Sequence, residues 1–155
     1  MLFRSTSDRL EVINPATEQP FGSAPDCGAA DIDAAVASSK AAFAGEWRSW
    51  TPDDRVEALS RLSQSLQARS QDLADVITAE VGTPVTQSIL MQVFASTMVL
   101  DQYVNVAKNF TWTDHRQGSL GQRVQVNRQP VGVCAGIVPW NVPRFIAAMT
   151  LGPGL

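Results

Sequence analysis

Residues 130–155 read PVGVCAGIVPWNVPRFIAAMTLGPGL, and this stretch decides the fold. Val131 to Val138 is a continuous apolar run containing Gly132 and Gly136, the pattern of a strand buried on both faces of a parallel sheet. Pro139-Trp140-Asn141 then reads as a tight turn. Pro143 suits the first position of a helix, where no backbone amide is required, and Phe145, Ile146 and Met149 follow at helical spacing. Strand, turn and helix make the first half of a βαβ unit. A parallel strand needs parallel partners, yet nothing upstream has the same pattern and only one helix follows before Leu155. The stretch therefore predicts the front of a larger α/β protein.

Open α/β sheets bind ligands at the carboxyl ends of their strands, which here is the edge Ile137-Val138-Pro139-Trp140-Asn141. Asn141 offers a neutral amide donor beside a helix N-terminus, and both features stabilise negative charge developing on an oxygen. The same residue is also placed to cap the helix that begins near Pro143, and spacing alone favours the cap. Trp140 is either a flat apolar wall for a ring or part of the core; the pattern favours core.

Working back from this stretch, residues 110–130 change character. Val124 and Val126 alternate with Arg123, Gln125 and Asn127, the period of a half-buried strand, and Gly118 and Gly121 mark a turn before it. A two-stranded ribbon is unstable alone and predicts a supporting surface, often a partner subunit. Further upstream, Thr83-Pro84 starts a helix that runs to about Asn109. It is apolar on nearly every side from Ile89 to Leu100, which predicts burial all round. Gln71 to Val81 is a helix ended by Gly82, with Leu73, Val76 and Ile77 inward. Thr51-Pro52 opens another, with Asp53 and Asp54 at its positive end and Val56, Leu59, Leu62 and Leu66 in a core-facing stripe. A helix from about Asp31 to Gly45 carries Ile32, Ala35, Val36 and Phe43 on one face. Before it, Leu10, Val12 and Phe21 with Asn14-Pro15 and Gln19-Pro20 read as extended structure and turns.

The composition is that of a folded chain: 155 residues, 45% hydrophobic and 17% charged. A net charge of −3 argues against a nucleic-acid binder. Charge is uneven, with 7 Lys/Arg against 14 Asp/Glu in residues 1–101 and 5 against 1 thereafter. Cys27 and Cys134 are too few for a disulfide framework, and His115 is the only histidine, so no metal-ligand set is expected. Cys134 within the apolar run reads as an inert small hydrophobe, and His115 as a surface residue of the ribbon. The opening residues lack an apolar signal region, and Ile89–Leu100 is too short and too interrupted to span a bilayer. A reducing, cytoplasmic setting without membrane contact is the expectation.

Several motifs, in order, carry a resemblance. Asn14-Pro15-Ala16-Thr17, then Ala41-Ala42-Phe43 with Trp47 and Trp50, the Arg55 to Leu66 helix, and Glu80-Val81-Gly82-Thr83-Pro84 lead to Pro130-Val-Gly-Val133, Ile137-Val-Pro-Trp-Asn-Val-Pro143 and Leu151-Gly-Pro-Gly154. Over residues 10–155 the chain resembles the N-terminal part of the NAD(P)-dependent aldehyde dehydrogenase superfamily, with Thr83 where lysine is commoner.

The resemblance implies an α/β fold in three parts. Residues 1–111 would be the N-terminal helical part of the cofactor-binding domain, 112–130 a β-ribbon oligomerisation arm, and 131–155 the first strand and helix of a Rossmann-like core. It implies that Asn141 holds the oxyanion, and that Ile137, Val138, Pro139 and Trp140 contact NAD or NADP, NAD being favoured. Val142, Phe145, Ile146 and Met149 would line an aldehyde channel, with Val142 where the family often has Phe or Leu. It further implies a homo-oligomer, dimer or tetramer, assembled through the arm. The family's catalytic cysteine and glutamate fall beyond the position matching Leu155, and neither Cys134 nor Cys27 replaces the nucleophile. The chain alone is therefore expected to be inactive. The alternative expectation is a naturally short, non-catalytic module that associates with full-length relatives.

Overall fold

The computed structural model describes residues 7–155. Strands β1 (Arg9–Asn14) and β2 (Gln19–Pro25) form an antiparallel hairpin running from Arg9 opposite Pro25 to Asn14 opposite Gln19. Asn14 makes the turn: its Oδ1 accepts from the Ala16 amide at 2.9 Å and its carbonyl from the Glu18 amide at 2.8 Å. Glu18 takes φ 57° to close it.

Helix α1 (Ala29–Ala44) follows, with the Gly28 amide donating to Asp31 Oδ2 at 2.9 Å. Its expected inward face is not covered: Ile32 and Val36 are exposed, and Ala35 and Phe43 only half-buried. The short α2 (Glu46–Ser49) stacks Trp47 on Trp50 at 4.6 Å. Arg55 then clamps this corner, donating to the Trp47 carbonyl at 2.7 Å with its guanidinium 4.5 Å from the Trp47 ring centroid.

Helix α3 (Pro52–Ala68) begins with a full capping box. The Thr51 hydroxyl accepts from the Asp54 amide at 3.2 Å, and Asp54 accepts from the Thr51 amide at 2.8 Å. Helix α4 (Ser70–Val81) ends at Gly82, whose φ of 77° suits glycine. A Cβ there would also lie 2.8 Å from Pro15 Cγ, so glycine is what lets the hairpin turn approach the end of α4.

The region from Val85 to Asn109 is one continuous rod: α5 (Val85–Gln87), a π-helical stretch Ser88–Phe94, and α6 (Ala95–Asn109). Its burial corrects the sequence expectation. Leu90, Met91, Phe94 and Met98 are exposed, whereas Ser88, Gln92, Ser96 and Thr97 are buried. The hydroxyls tolerate burial because the helix itself satisfies them: Ser96 and Thr97 both donate to the Val93 carbonyl at 2.9 Å. Apolar content alone could not reveal which face turns inward.

Strands β3 (Thr113–Gln117) and β4 (Arg123–Asn127) pair antiparallel, matching the expected ribbon. Helix α7 (Pro143–Gly154) closes the chain. One core cluster joins Val56 and Leu59 of α3, Leu100 and Val104 of α6, and Ala148 of α7; another joins Ala74 and Ile77 of α4 to Val93. Each fully buried Leu or Ile contributes about 1.5–3 kcal/mol, so these contacts hold the helices together.

Residues 131–138 depart from the strand reading. They belong to no ladder; among the described residues the paired strands are β1 with β2 and β3 with β4. A strand exists through its neighbours' hydrogen bonds, and none lies alongside. The apolar side chains are accordingly uncovered, with Val131 at 93% and Ile137 at 95% exposure. The run still lies along α7: a Cβ on Gly136 would sit 2.7 Å from Thr150 Cγ2.

Candidate functional site

The turn Pro139–Val142 places Asn141 next to the N-terminus of α7. Val142 (φ −139°, ψ 57°) is the helix N-cap, and the Ile146 amide donates to its carbonyl at 3.1 Å. The structure removes the alternative that spacing favoured: α7 begins with no side-chain cap bond, so Asn141 does not cap it. The Asn141 side chain is exposed and has no hydrogen-bond partner among the described residues. An amide donor stands free beside the positive end of a helix.

Trp140 is 83% exposed and so is not core, the second correction at this turn. Ile137, Val138 and Pro139 are exposed as well, leaving a stretch of uncovered apolar surface leading into Asn141. Val142, Phe145, Ile146 and Met149 recur at helical spacing on one side of α7. The first three are half-buried and Met149 is exposed, so this side is incompletely covered.

The neighbouring stripe of α7 is Arg144, Ala148 and Gly152, of which Ala148 and Gly152 are buried. Sequence reasoning passed over Arg144. Its three guanidinium nitrogens are buried without a hydrogen-bond partner, and burial pushes its pKa below the ordinary arginine value. A cation in the first turn of an otherwise apolar helix was the available signal, because both burial and the helix dipole disfavour it there.

Cys134 is exposed, correcting its expected burial; its Sγ lies 3.8 Å from the Gly132 carbonyl. Cys27 is exposed too. Among the described residues there is no metal-ligating cluster, and no helix is long and apolar enough to cross a membrane. An apolar cavity of about 310 Å³ opens at the other end of α7, lined by Val56, Leu59, Tyr103, Phe110, Trp112 and Leu155 among others. None of the expected channel residues lines it, and its one cation, Arg55, is already bonded to the carbonyls of Trp47 and Leu155.

The helices thus share a covered core, and an uncovered apolar segment leads through the turn Pro139–Val142 into α7. The chain matches the model of the aldehyde dehydrogenase family over residues 3–155. It belongs to that family. The geranial dehydrogenase of Castellaniella defragrans is 28% identical, aligned over 97% of this chain and 32% of its own length. The NADP/NAD-dependent aldehyde dehydrogenase PuuC of Escherichia coli K12 is 27% identical over 96% of this chain and 30% of its own. A Mycobacterium tuberculosis aldehyde dehydrogenase solved with NAD+ superposes with a TM-score of 0.91 at 39% identity, covering 97% of this chain and 31% of that one. The chain thus spans about a third of the length of these relatives.

Proposed function

We propose that these residues form the N-terminal part of an enzyme that oxidises an aldehyde to a carboxylic acid with NAD(P)+. In that enzyme a cysteine thiolate from beyond residue 155 adds to the aldehyde carbon. The carbonyl π electrons move onto oxygen, and the Asn141 side-chain amide donates a hydrogen bond to the oxyanion. The helix N-terminus beside Asn141 adds a partial positive charge at the same place. Loss of hydride from the thiohemiacetal leaves a thioester, which water cleaves to the acid, freeing the thiolate.

The nicotinamide dinucleotide, when bound, supplies the hydride acceptor. The residues present fit such a group. Ile137 and Trp140 offer uncovered apolar surface for a ring, and residues 115–155 contain no carboxylate to repel its phosphates. Ile137, Val138, Pro139 and Trp140 would hold it, and the NAD+ complex of the M. tuberculosis relative supports NAD as the favoured form. Val142, Phe145, Ile146 and Met149 form the apolar wall along which the aldehyde approaches Asn141. The β3–β4 ribbon serves as the arm joining subunits into a homo-oligomer.

The unengaged Asn141 amide is the observation that carries the reading. In the protein at its natural length, Asn141→Ala lowers kcat by about 10²–10³, measured as aldehyde-dependent NAD(P)H formation; undiminished turnover would overturn the role. Residues 1–155 alone give no such activity, since the nucleophile comes from elsewhere.

A further inference from the structure

The cavity at the end of α7 is walled by Leu59 of α3, Tyr103 of α6 and the rings of Phe110 and Trp112, which meet edge-on at 4.8 Å. Its volume of about 310 Å³ falls within the range of small-molecule sites, and its aromatic lining is typical of them. Of the lining residues, Val106, Phe110 and Trp112 are exposed, so the cavity opens to solvent. Asn141 lies at the opposite end of α7, about 18 Å away along the helix.

Arg55 is the cation in this wall, and its charge is not compensated. Its Nη1 donates to the Leu155 carbonyl at 3.1 Å and its Nη2 to the Trp47 carbonyl at 2.7 Å. A guanidinium has five N–H donors, so with these two engaged three are left. Carbonyl oxygens and the Trp47 ring carry no net charge, and among the described residues Arg55 has no ion-pair partner. The residue is half-buried, where salt screens a charge less than on the open surface. Arg55 also borders a second hollow, together with Arg48 and Gln129, and Arg48 likewise has no ion-pair partner among the described residues. No carboxylate lines either hollow.

We infer that this cavity binds an apolar monocarboxylate, its hydrocarbon body against Leu59, Phe110 and Trp112 and its carboxylate on the remaining N–H groups of Arg55. Burial of the body against the aromatic lining supplies affinity, and the charge supplies selection. A neutral molecule of the same shape leaves the cation uncompensated. A dicarboxylate has to place its second charge against apolar walls. A carboxylic acid is also what the reaction proposed above would release, but the binding inference stands on the cavity and Arg55 and does not rest on that reading.

Calorimetric titration of the protein at its natural length with sodium octanoate at neutral pH tests it. Octanoate is expected to bind, and octanamide, the same body without the charge, to bind about tenfold more weakly or worse. Val106→Trp introduces an indole from an exposed position in the lining and is expected to weaken octanoate binding by about tenfold or more. The binding that Val106→Trp removes is expected to persist in Met149→Trp, which alters the opposite half of α7. Octanoate binding that ignores Val106→Trp, or is lost in Met149→Trp instead, lies elsewhere and overturns the site. Equal binding of octanoate and octanamide overturns the carboxylate assignment. Absence of octanoate binding overturns the proposal outright, as it would if another part of the protein filled the cavity. Should Val106→Trp not fold, as read from circular dichroism, Val106→Met narrows the same cavity, and the octanamide comparison needs no variant. Full turnover in Asn141→Ala would sink the oxyanion role and leave these titrations untouched, so the two readings fail separately.

Discussion

Thr51 and Asp54 show how much a single pair of residues sets. Pro52 removes one amide that would otherwise go unpaired at the start of α3, and the reciprocal Thr51–Asp54 bonds occupy two more. Thr51→Ala is expected to cost about 1 kcal/mol, read from urea unfolding. The bonds from Thr51 hold the Asp54 carboxyl below its ordinary value of 3.8. A depressed carboxylate pKa stabilises the fold above the unfolded value, and that contribution is lost as pH falls through the folded one. Unfolding midpoints measured from pH 5 downward should therefore fall less steeply in Asp54→Asn than in the parent; parallel curves would show that the cap does not titrate. Gly82 is another position governed by a single residue. A side chain there must adopt φ 77° and also displace Pro15, so Gly82→Ala is expected to cost at least about 1–2 kcal/mol.

Individual elements owe their form to their neighbours. Helix α6 holds its place through Leu100, which is 1% exposed between α3 and α7. Leu100→Ala should cost about 2–5 kcal/mol by urea unfolding, whereas Met98→Ala, two residues away and exposed, should cost far less. An equal loss at both positions would mean that the exposed side of the rod is covered after all. The ribbon β3–β4 is held by its own ladder and by Arg128 donating to the Trp112 carbonyl at 3.0 Å, with Phe110 against Trp112 at 4.8 Å anchoring its base. Its Arg116–Asp114 ion pair is exposed and adds little.

Across the whole molecule, apolar surface is unevenly distributed. Val131, Ile137 and Trp140 are almost fully exposed along one segment, while the helices share a covered core. Such a segment gains most from further strands beside it. Amides of residues 131–138, which belong to no ladder among the described residues, are expected to exchange quickly by hydrogen-exchange mass spectrometry. Slow exchange there would show that the segment is already covered by hydrogen-bonded neighbours.

The sequence by itself determined the longer helices and most of their ends, because capping residues and glycine stops act within a few residues of one another, whereas the apolar faces expected of Ile32, Val36 and Val76 are exposed. Thr51-Pro52, Gly82 and the Val56–Leu59 stripe stand where local chemistry places them. It also determined the turn Pro139–Val142 and the family, through motifs set in order along the chain. Only the tertiary structure decided which face of the Val85–Asn109 rod is buried, that Asn141 leaves α7 uncapped, that Trp140 is exposed, and that Arg144 lies unpaired inside. Each of these depends on which groups arrive from distant parts of the chain. Residues 131–138 are the plainest case: their composition specifies a buried strand, but a strand's hydrogen bonds belong equally to its neighbours, and those neighbours are not supplied by the segment itself.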